Sequence, residues 1–250
     1  MFHRLLTLTV TAALTAALAL ASTALLRPAQ AAAPQATITT VELLDTPVTR
    51  LKLVPGVWTQ LDLKVLNTGD VELPSVTVTG SGKKLKVQPG ATETSSDPGD
   101  TRSASVRVKL GKAKRTTLTL TAVAGGVATE RVIQVKRAKT PPRPKAGAYE
   151  SPDGRIHLTI TRNGRITGFR AQAYTTCGGY PSLPTHSWSY YDFPTTKVPR
   201  NGIVTAVERG SNYTVRLQLK AAGKKVTQGR FNYNGPNRCW AVSNFTAKRT

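Results

Sequence analysis

The stretch "NYTVRLQLKAAGKKVTQGRFNYNG", residues 212–235, decides the fold class. Tyr213, Val215, Leu217 and Leu219 alternate with Arg216, Gln218 and Lys220, which is the period of a strand with one apolar and one polar face. A second run follows Gly223, so the segment predicts a β-hairpin. Upstream, "RIHLTITRNGRITGFRAQAYTTC" (155–177) holds two more such runs around Asn163-Gly164, a pair suited to the left-handed conformations of a tight hairpin turn. Downstream, "CWAVSNFTAKR" (239–249) reads as a closing strand.

The N-terminal half follows the same pattern. "TQLDLKVLN" (59–67) sets Leu61, Leu63 and Val65 against Asp62, Lys64 and Leu66 and stops at the turn "NTGD" (67–70). "SVTVTGSGKKLKVQPG" (75–90) continues with Val76, Val78, Leu85 and Val87, then a Pro-Gly turn. "SASVRVKLG" (103–111) alternates again, and "TTLTLTAVAGGVATERVIQV" (116–135) predicts a hairpin around Gly125-Gly126. With opening strands near 37–44 and 49–54, about seven or eight short strands fill roughly 100 residues, the size of an immunoglobulin-like sandwich. No segment carries helical periodicity.

Composition divides the chain in two. Between residues 34 and 139 the sole aromatic is Trp58, whereas residues 140–250 hold all seven tyrosines, four of the five phenylalanines and two of the three tryptophans. "KRAKTPPRPKAG" (136–147) lies between them, and its three prolines deny a ladder its N–H donors and favour an extended spacer. The expected organisation is a signal peptide at 1–31, an Ig-like β-sandwich at 36–137, a linker at 138–146 and a disulfide-stapled β-domain at 147–250.

The start of the chain sets the expected compartment. "MFHR" is basic, residues 5–26 form an uncharged run rich in Ala, Leu and Thr, and Ala29 and Ala31 have the spacing that a signal peptidase accepts. The alternative is an uncleaved anchor, since the run could just span a bilayer. Thr content, Arg27-Pro28 and the small-residue site favour cleavage, and no second apolar run of that length follows, so no transmembrane segment is expected afterwards. Without Arg4 and Arg27 the chain holds 33 basic and 13 acidic residues, a formal charge of +20. Such a secreted protein is drawn to polyanions such as acidic wall polymers or glycans. Charge spread along strands also serves solubility alone, which is the bland alternative.

Two resemblances accompany these patterns. "LDLKVLNTGDVELPSVTVTG" followed by "LKVQPG" resembles the cell-adhesion-related bacterial Ig-like domains, which implies a spacer or adhesive unit. From "GAYES" to "FTAKR", with "NGRITGFR", a lone Cys, "VTQGRF" and a late Cys between, residues 147–249 resemble the C-terminal β-domain of secreted actinobacterial proteins of unknown function. Relatives of that domain often read "WTAKR" at its end. This resemblance implies export and an all-β fold, and no activity.

Cys177 ends one expected strand and Cys239 begins another, an even count in an exported protein, and this pattern reads as a disulfide. Closing a loop of that length is worth about 4 kcal/mol in the chain-entropy model. Neither C-x-x-C nor H-x-x-x-H spacing occurs, so no metal or other cofactor is expected. A cysteine nucleophile would need a free thiol beside a base, and His186 with Asp192 is the least implausible centre. The Ser-x-Gly-Cys surroundings of exported wall transpeptidases are missing, as are G-x-S-x-G, H-E-x-x-H and the phosphate loop. Of the acids in the second body, Asp153 and Glu208 fall in expected turns, and His157 falls on the solvent face of a strand.

That leaves "TTCGGYPSLPTHSWSYYDFP" (175–194), expected as an irregular loop anchored by the disulfide. Tyr180, His186, Trp188, Tyr190 and Tyr191 are the candidate ligand-binding residues, suited to stacking on sugar rings. The competing outcome is that Trp188, Tyr190 or Phe193 plugs a small core. Alternation places Trp188 and Tyr190 on one face and Tyr191 and Phe193 on the other. Aromatic and basic residues together also suit single strands of nucleic acid, but secretion argues against nucleic acid as the main partner.

The sequence therefore predicts an all-β protein, an N-terminal Ig-like β-sandwich plus a C-terminal antiparallel β-barrel or sandwich with one disulfide. It is read as secreted, non-enzymatic and possessed of a binding or adhesion role toward anionic or glycan polymers of the cell envelope. The alternatives are an envelope-polymer hydrolase or transferase, and a secreted inhibitor or adhesin that binds protein.

Overall fold

A computed structural model describes residues 34–179 and 183–250. The expected signal peptide at 1–31 and Tyr180 lie outside the described residues. The N-terminal body contains β1 (Ala36–Leu43), β2 (Thr46–Pro47), β3 (Arg50–Leu53), β4 (Trp58–Asn67), β5 (Thr77–Ser81), β6 (Leu85–Gln88), β7 (Gly90–Ala91), β8 (Thr101–Leu110), β9 (Arg115–Ala124) and β10 (Val127–Arg137). They form two five-stranded sheets, β2-β1-β4-β8-β6 and β3-β10-β9-β5-β7. Leu61, Leu63, Val106 and Val108 of the first sheet face Leu118, Leu120, Ile133 and Val135 of the second, all buried in one core. This is the expected sandwich, antiparallel except where β3 runs parallel to β10.

The Asn-x-Gly signature has a direct physical role. The Asn67 side chain is buried; its Nδ2 donates to the Val71 and Ser96 carbonyls, while Oδ1 accepts from the Gly69 N–H. One amide thereby ties together three backbone groups around the end of β4, joining the Leu73 N–H on the Ser96 carbonyl.

The C-terminal body contains β11 (Gly147–Glu150), β12 (Ile156–Ile160), β13 (Arg165–Cys177), β14 (Thr185–Phe193), β15 (Thr196–Lys197), β16 (Ile203–Arg209), β17 (Thr214–Ala222), β18 (Lys225–Asn234) and β19 (Trp240–Arg249). One strongly coiled antiparallel sheet runs β14-β13-β12-β11-β19-β18-β17-β16, with β15 added on β13. β19 is forked: Trp240 and Ala241 pair with Thr176 and Thr175 of β13, while Lys248 and Arg249 pair with Glu150 and Tyr149 of β11. The sheet thus curls around its own core of Phe169, Phe231, Phe245, Leu217 and Leu219, with Tyr149 beside them. The expected barrel-like domain is present, and Cys177 and Cys239 are joined in a disulfide beside the Thr176–Trp240 pair.

The motifs of this body meet in space. Gln228 takes φ +50° where the β18–β19 register shifts, a β-bulge in "VTQGRF". At Gly229 a Cβ would come within 2.6 Å of the Phe245 ring, so glycine lets that ring, from "FTAKR", lie on the strand. Two local expectations change. In the turn between β12 and β13, residues 161–164, only Gly164 adopts positive φ, and Thr161 N–H bonds Arg165 O across a longer loop, so Asn163 does not supply a left-handed residue. Glu208 belongs to β16 rather than to a turn, because Val215 pairs with it before the chain reverses at Gly210.

Residues 138–146 have no regular structure and are held at both ends. Ala138 N–H donates to Leu53 O, Lys145 N–H to Gly223 O, and the Tyr149 hydroxyl bonds the carbonyls of Lys145 and Gly223. The chain so placed lays the outer face of β1, β4 and β8 against the outer face of β16–β19.

Candidate functional site

The outer face of the C-terminal sheet can be followed row by row through its register. One cross-strand row runs Arg209, Thr214, Asn234, Trp240, Thr176, His186. The next contains Val207, Arg216, Asn232 and Val242 on one side of the β19 fork, and Tyr174 with Trp188 on the other. Further along β13 and β14, Gln172 faces Tyr190 and Arg170 faces Asp192.

Over β12–β14 this face is open. The segment expected as a loop is strand β14 from Thr185 onward, paired with β13 over its whole length. Gly178, Gly179 and Pro184 stop short of it, and "THSWSYYDF" has the alternation of a strand. Trp188 is 47% and Tyr190 70% exposed, and on neighbouring strands Tyr174 and Trp240 are each 50% exposed. Residues 186, 188 and 190 follow one another at about 6.8 Å, two strand rises. Tyr174 stacks on His186 with centroids 5.5 Å apart and meets Trp188 edge-on at the same distance. The Arg155 guanidinium lies 4.2 Å from the Trp188 ring centroid, a cation–π contact. His186 Nδ1 shares a hydrogen bond with Thr176 Oγ1 at 3.0 Å, which fixes the ring.

The other two aromatics of β14 turn inward. Tyr191 packs on Phe231 and Tyr233 at 5.2 and 4.7 Å and pairs its hydroxyl with Thr175 Oγ1, while Phe193 is buried against Phe169. Tyr191 is therefore part of the core edge, not of the open ladder. Its neighbour Tyr233 has a raised phenol pKa because burial, then the nearby Tyr191 and Tyr213, disfavour the phenolate.

The cysteine-centred catalytic arrangement does not form. Both thiols are consumed in the disulfide and no described cysteine is free. His186 and Asp192 sit six residues apart on one strand, about 20 Å by strand rise, and Asp192 is paired with Arg170 at 3.4 Å. Asp153 lies in its expected turn, its carboxyl held below the usual range chiefly by the Ser151 hydroxyl, and His157 is exposed as expected. Among the described residues no group of His, Cys, Asp or Glu is placed to hold a metal ion.

Around Arg216 and Gln218 of β17 the same face is covered by the N-terminal body, while Val207, Trp240 and Val242 stay partly exposed at its margin. Asp62, nominally on the polar side of β4, is 7% exposed and collects four donors: Gln60 Nε2 at 3.0 Å, Ser105 Oγ at 2.6 Å, Arg216 Nη2 at 3.2 Å and Gln218 Nε2 at 3.1 Å. Gln218 is 1% exposed, so two residues of the opening hairpin that read as solvent-facing lie against the other domain. Arg209 pairs with Glu93 at 3.1 Å, Arg230 with Asp45 at 3.4 Å, and Asn201 Nδ2 donates to Thr59 Oγ1. The β1–β2 turn that delivers Asp45 places Leu44 and Asp45 at φ +53° and +56°, a conformation that costs non-glycine residues about 1–2 kcal/mol each. Leu44 is nevertheless buried, and the strain persists because the docked surface holds the turn.

Between the two bodies lies a cleft of about 630 Å³, with Trp240, Tyr233 and Val242 on one wall and Gln60, Ser103 and Ala91 on the other. Trp240 borders both this cleft and the open ladder.

No protein-family model and no curated protein matches the chain. Among solved structures, domains 5–6 of the S-layer protein SbsC are similar at 12% identity and a TM-score of 0.30, over 85% of this chain and 97% of that one. The class 5 fimbriae chaperone CfaA is similar at 8% identity and a TM-score of 0.27, over 84% and 98%. Likeness at this level adds nothing about residues or function. No helix among the described residues is long and apolar enough to cross a membrane.

Proposed function

We propose that the chain is an exported, non-enzymatic binding protein of the cell envelope, whose C-terminal domain attaches to glycan or anionic wall polymers through the aromatic face of β13 and β14. The observation that carries this reading is the cluster of Tyr174, Trp188 and Tyr190, half-exposed or more on a regular sheet while Phe193 is buried in the core and Tyr191 packs on its edge. Apolar rings in water have a cost that a monomer ordinarily avoids by packing them. Ring planes on a rigid sheet present the flat, amphipathic surface on which sugar rings stack. A formal charge of +22 for the whole sequence, with Arg155 on the Trp188 ring, adds attraction to anionic groups. The disulfide supports the exported setting, because such bonds persist in oxidising compartments.

The test is adsorption of the mature full-length protein to insoluble cell-wall particles, before and after their anionic polymers are stripped. The Trp188→Ala/Tyr190→Ala double variant is expected to adsorb about tenfold or more weakly, each ring contributing about 1 kcal/mol. Equal adsorption by the variant and the parent would remove the ladder from the binding surface.

A further inference from the structure

The cleft between the domains is electrically unlike the rest of the molecule. Its walls carry four carboxylates, those of Glu42, Asp45, Asp62 and Glu93. They carry four cations, those of Lys64, Arg209, Arg216 and Arg230. Its formal balance is zero in a chain of +22. Neutrality is not a general property of the domain junction. A smaller crevice of about 380 Å³ on the junction has Arg50, Lys52, Lys139 and Lys220 on its walls and no acidic residue.

Three of the four carboxylates face a guanidinium across the cleft, at 3.1 to 3.4 Å. A polyanion entering would meet the charge of Asp62, Glu93 and Asp45 at close range. A ligand bearing hydroxyl groups has no such conflict, because its hydroxyls donate to the exposed Glu93 carboxylate and accept from amide or guanidinium N–H groups, leaving the saturated Asp62 untouched. Asn232 and Asn234 add side-chain amides on the C-terminal wall, and Gln60 and Ser103 add polar groups on the N-terminal wall. Trp240 and Tyr233 supply rings. A volume of about 630 Å³ lies inside the roughly 300–1,000 Å³ of clefts that enclose small ligands.

Position links this cleft to the ladder. Trp240 pairs with Thr176 of β13, and Thr176 with His186 of β14, so ladder and cleft meet at one half-exposed tryptophan on a continuous sheet face. We infer that the cleft binds a neutral, hydroxyl-rich segment of a glycan whose remainder lies along the ladder, with both domains contributing walls. The inference rests on the glycan form of the proposed function and narrows it: neutral sugar units at the domain junction, not the polyanion that net charge alone suggests. It also gives the polar docking of the two bodies a role, since one wall of the site belongs to each.

The experiment blocks the cleft from the wall that has no part in the ladder. Ser103 is exposed on β8, and Ser103→Trp fills the cleft without touching β13 or β14. Titration calorimetry on the full mature chain would use neutral tetrasaccharides of hexose, N-acetylhexosamine and pentose units, with a glycerol-phosphate oligomer as the anionic comparison. At least one neutral tetrasaccharide is expected to bind, and Ser103→Trp to weaken it about tenfold or more. Asn234→Ala is the second variant, expected to weaken the same ligand, with an unchanged melting temperature confirming that each variant folds. Three outcomes overturn the inference: no neutral tetrasaccharide binds, the anionic oligomer binds the cleft more tightly, or both cleft variants bind like the parent. If the cleft variants bind normally while the Trp188→Ala/Tyr190→Ala variant loses wall adsorption, the ladder reading stands and the cleft assignment alone falls. If that double variant adsorbs normally, the ladder reading itself falls.

Discussion

The outer face of the C-terminal sheet behaves as two surfaces. Across β16–β18 it carries Arg216 and Gln218, which the N-terminal body covers, with Arg209 and Arg230 paired at the rim; across β13–β14 it carries Tyr174, His186, Trp188 and Tyr190 and is open. Hydropathy would assign these halves the other way round. The covered centre is buried by charge and hydrogen-bond complementarity, Arg216 and Gln218 meeting the buried Asp62 that the N-terminal body presents, while the Arg209–Glu93 pair at the rim stays largely in water. Among the described residues no acidic counterpart or apolar partner covers the aromatic half. In this molecule burial reports a match between surfaces, and a side chain's own polarity does not decide it.

The largest expected effect comes from cutting the seam where the two halves join. The Cys177–Cys239 bridge stands beside the Thr176–Trp240 pair, so Cys177→Ser/Cys239→Ser is expected to lower the unfolding free energy by about 4 kcal/mol. Urea unfolding of the C-terminal domain measures it. A loss under about 1 kcal/mol would mean that the sheet holds its fork without the bridge.

A second substitution tests the covered half directly. Asp62→Ala leaves Arg216 and Gln218 facing an empty acceptor and is expected to cost about 3 kcal/mol, the low end for breaking a buried pair because the domains can part and rehydrate the arginine. Its counterpart on the open half, Trp188→Ala, is expected to change stability by about 0.5 kcal/mol or less. Equal costs in thermal unfolding would abolish the distinction between the halves.

The smallest effect concerns the tether that lets one body lie on the other. The Tyr149 hydroxyl bonds the carbonyls of Lys145 and Gly223, and burial, only partly offset by the Arg249 charge and the Lys145 hydrogen bond, raises its pKa above the usual 10.0. Below about pH 10 its contribution is complete. Above that the unfolded phenol ionises while the folded one keeps its proton, so stability falls with pH until the folded group ionises as well. Tyr149→Phe is expected to cost about 1 kcal/mol at neutral pH and to flatten that alkaline decline. An unchanged alkaline slope in a pH series of denaturant midpoints would locate the titration in another residue, Tyr233 being the other raised tyrosine.

Much of the fold was legible because strand alternation is a local property. Leu61, Leu63 and Val65, and likewise Val215, Leu217 and Leu219, face the cores that their spacing specifies. The separation of Trp188 and Tyr190 from Tyr191 and Phe193 was legible for the same reason. The strand β14 was masked by the Gly178-Gly179 and Pro184 punctuation before it, which reads as a loop although regular pairing resumes at Thr185. The docking was not legible. A polar residue opposite an apolar one has the same spacing whether water or another domain covers it, so nothing in "LDLKV" or "VRLQL" distinguishes Asp62 and Gln218 from exposed residues. The left-handed Leu44-Asp45 turn is the structural trace of that docking, and it carries no glycine or asparagine to mark it in the sequence.

The polar joint has a calorimetric consequence. Exposing apolar surface raises heat capacity by about 0.45 cal/mol/K per Å², whereas exposing polar surface lowers it by about 0.26. Parting the domains uncovers carboxylates, guanidinium groups and amides together with apolar groups such as Leu44 and Ile203, so the two contributions oppose each other and the joint adds little to the heat capacity change of unfolding. The free energy of the joint is then nearly linear in temperature, while each core follows its own dome-shaped curve. Cooling that weakens the cores leaves the contact between them largely intact.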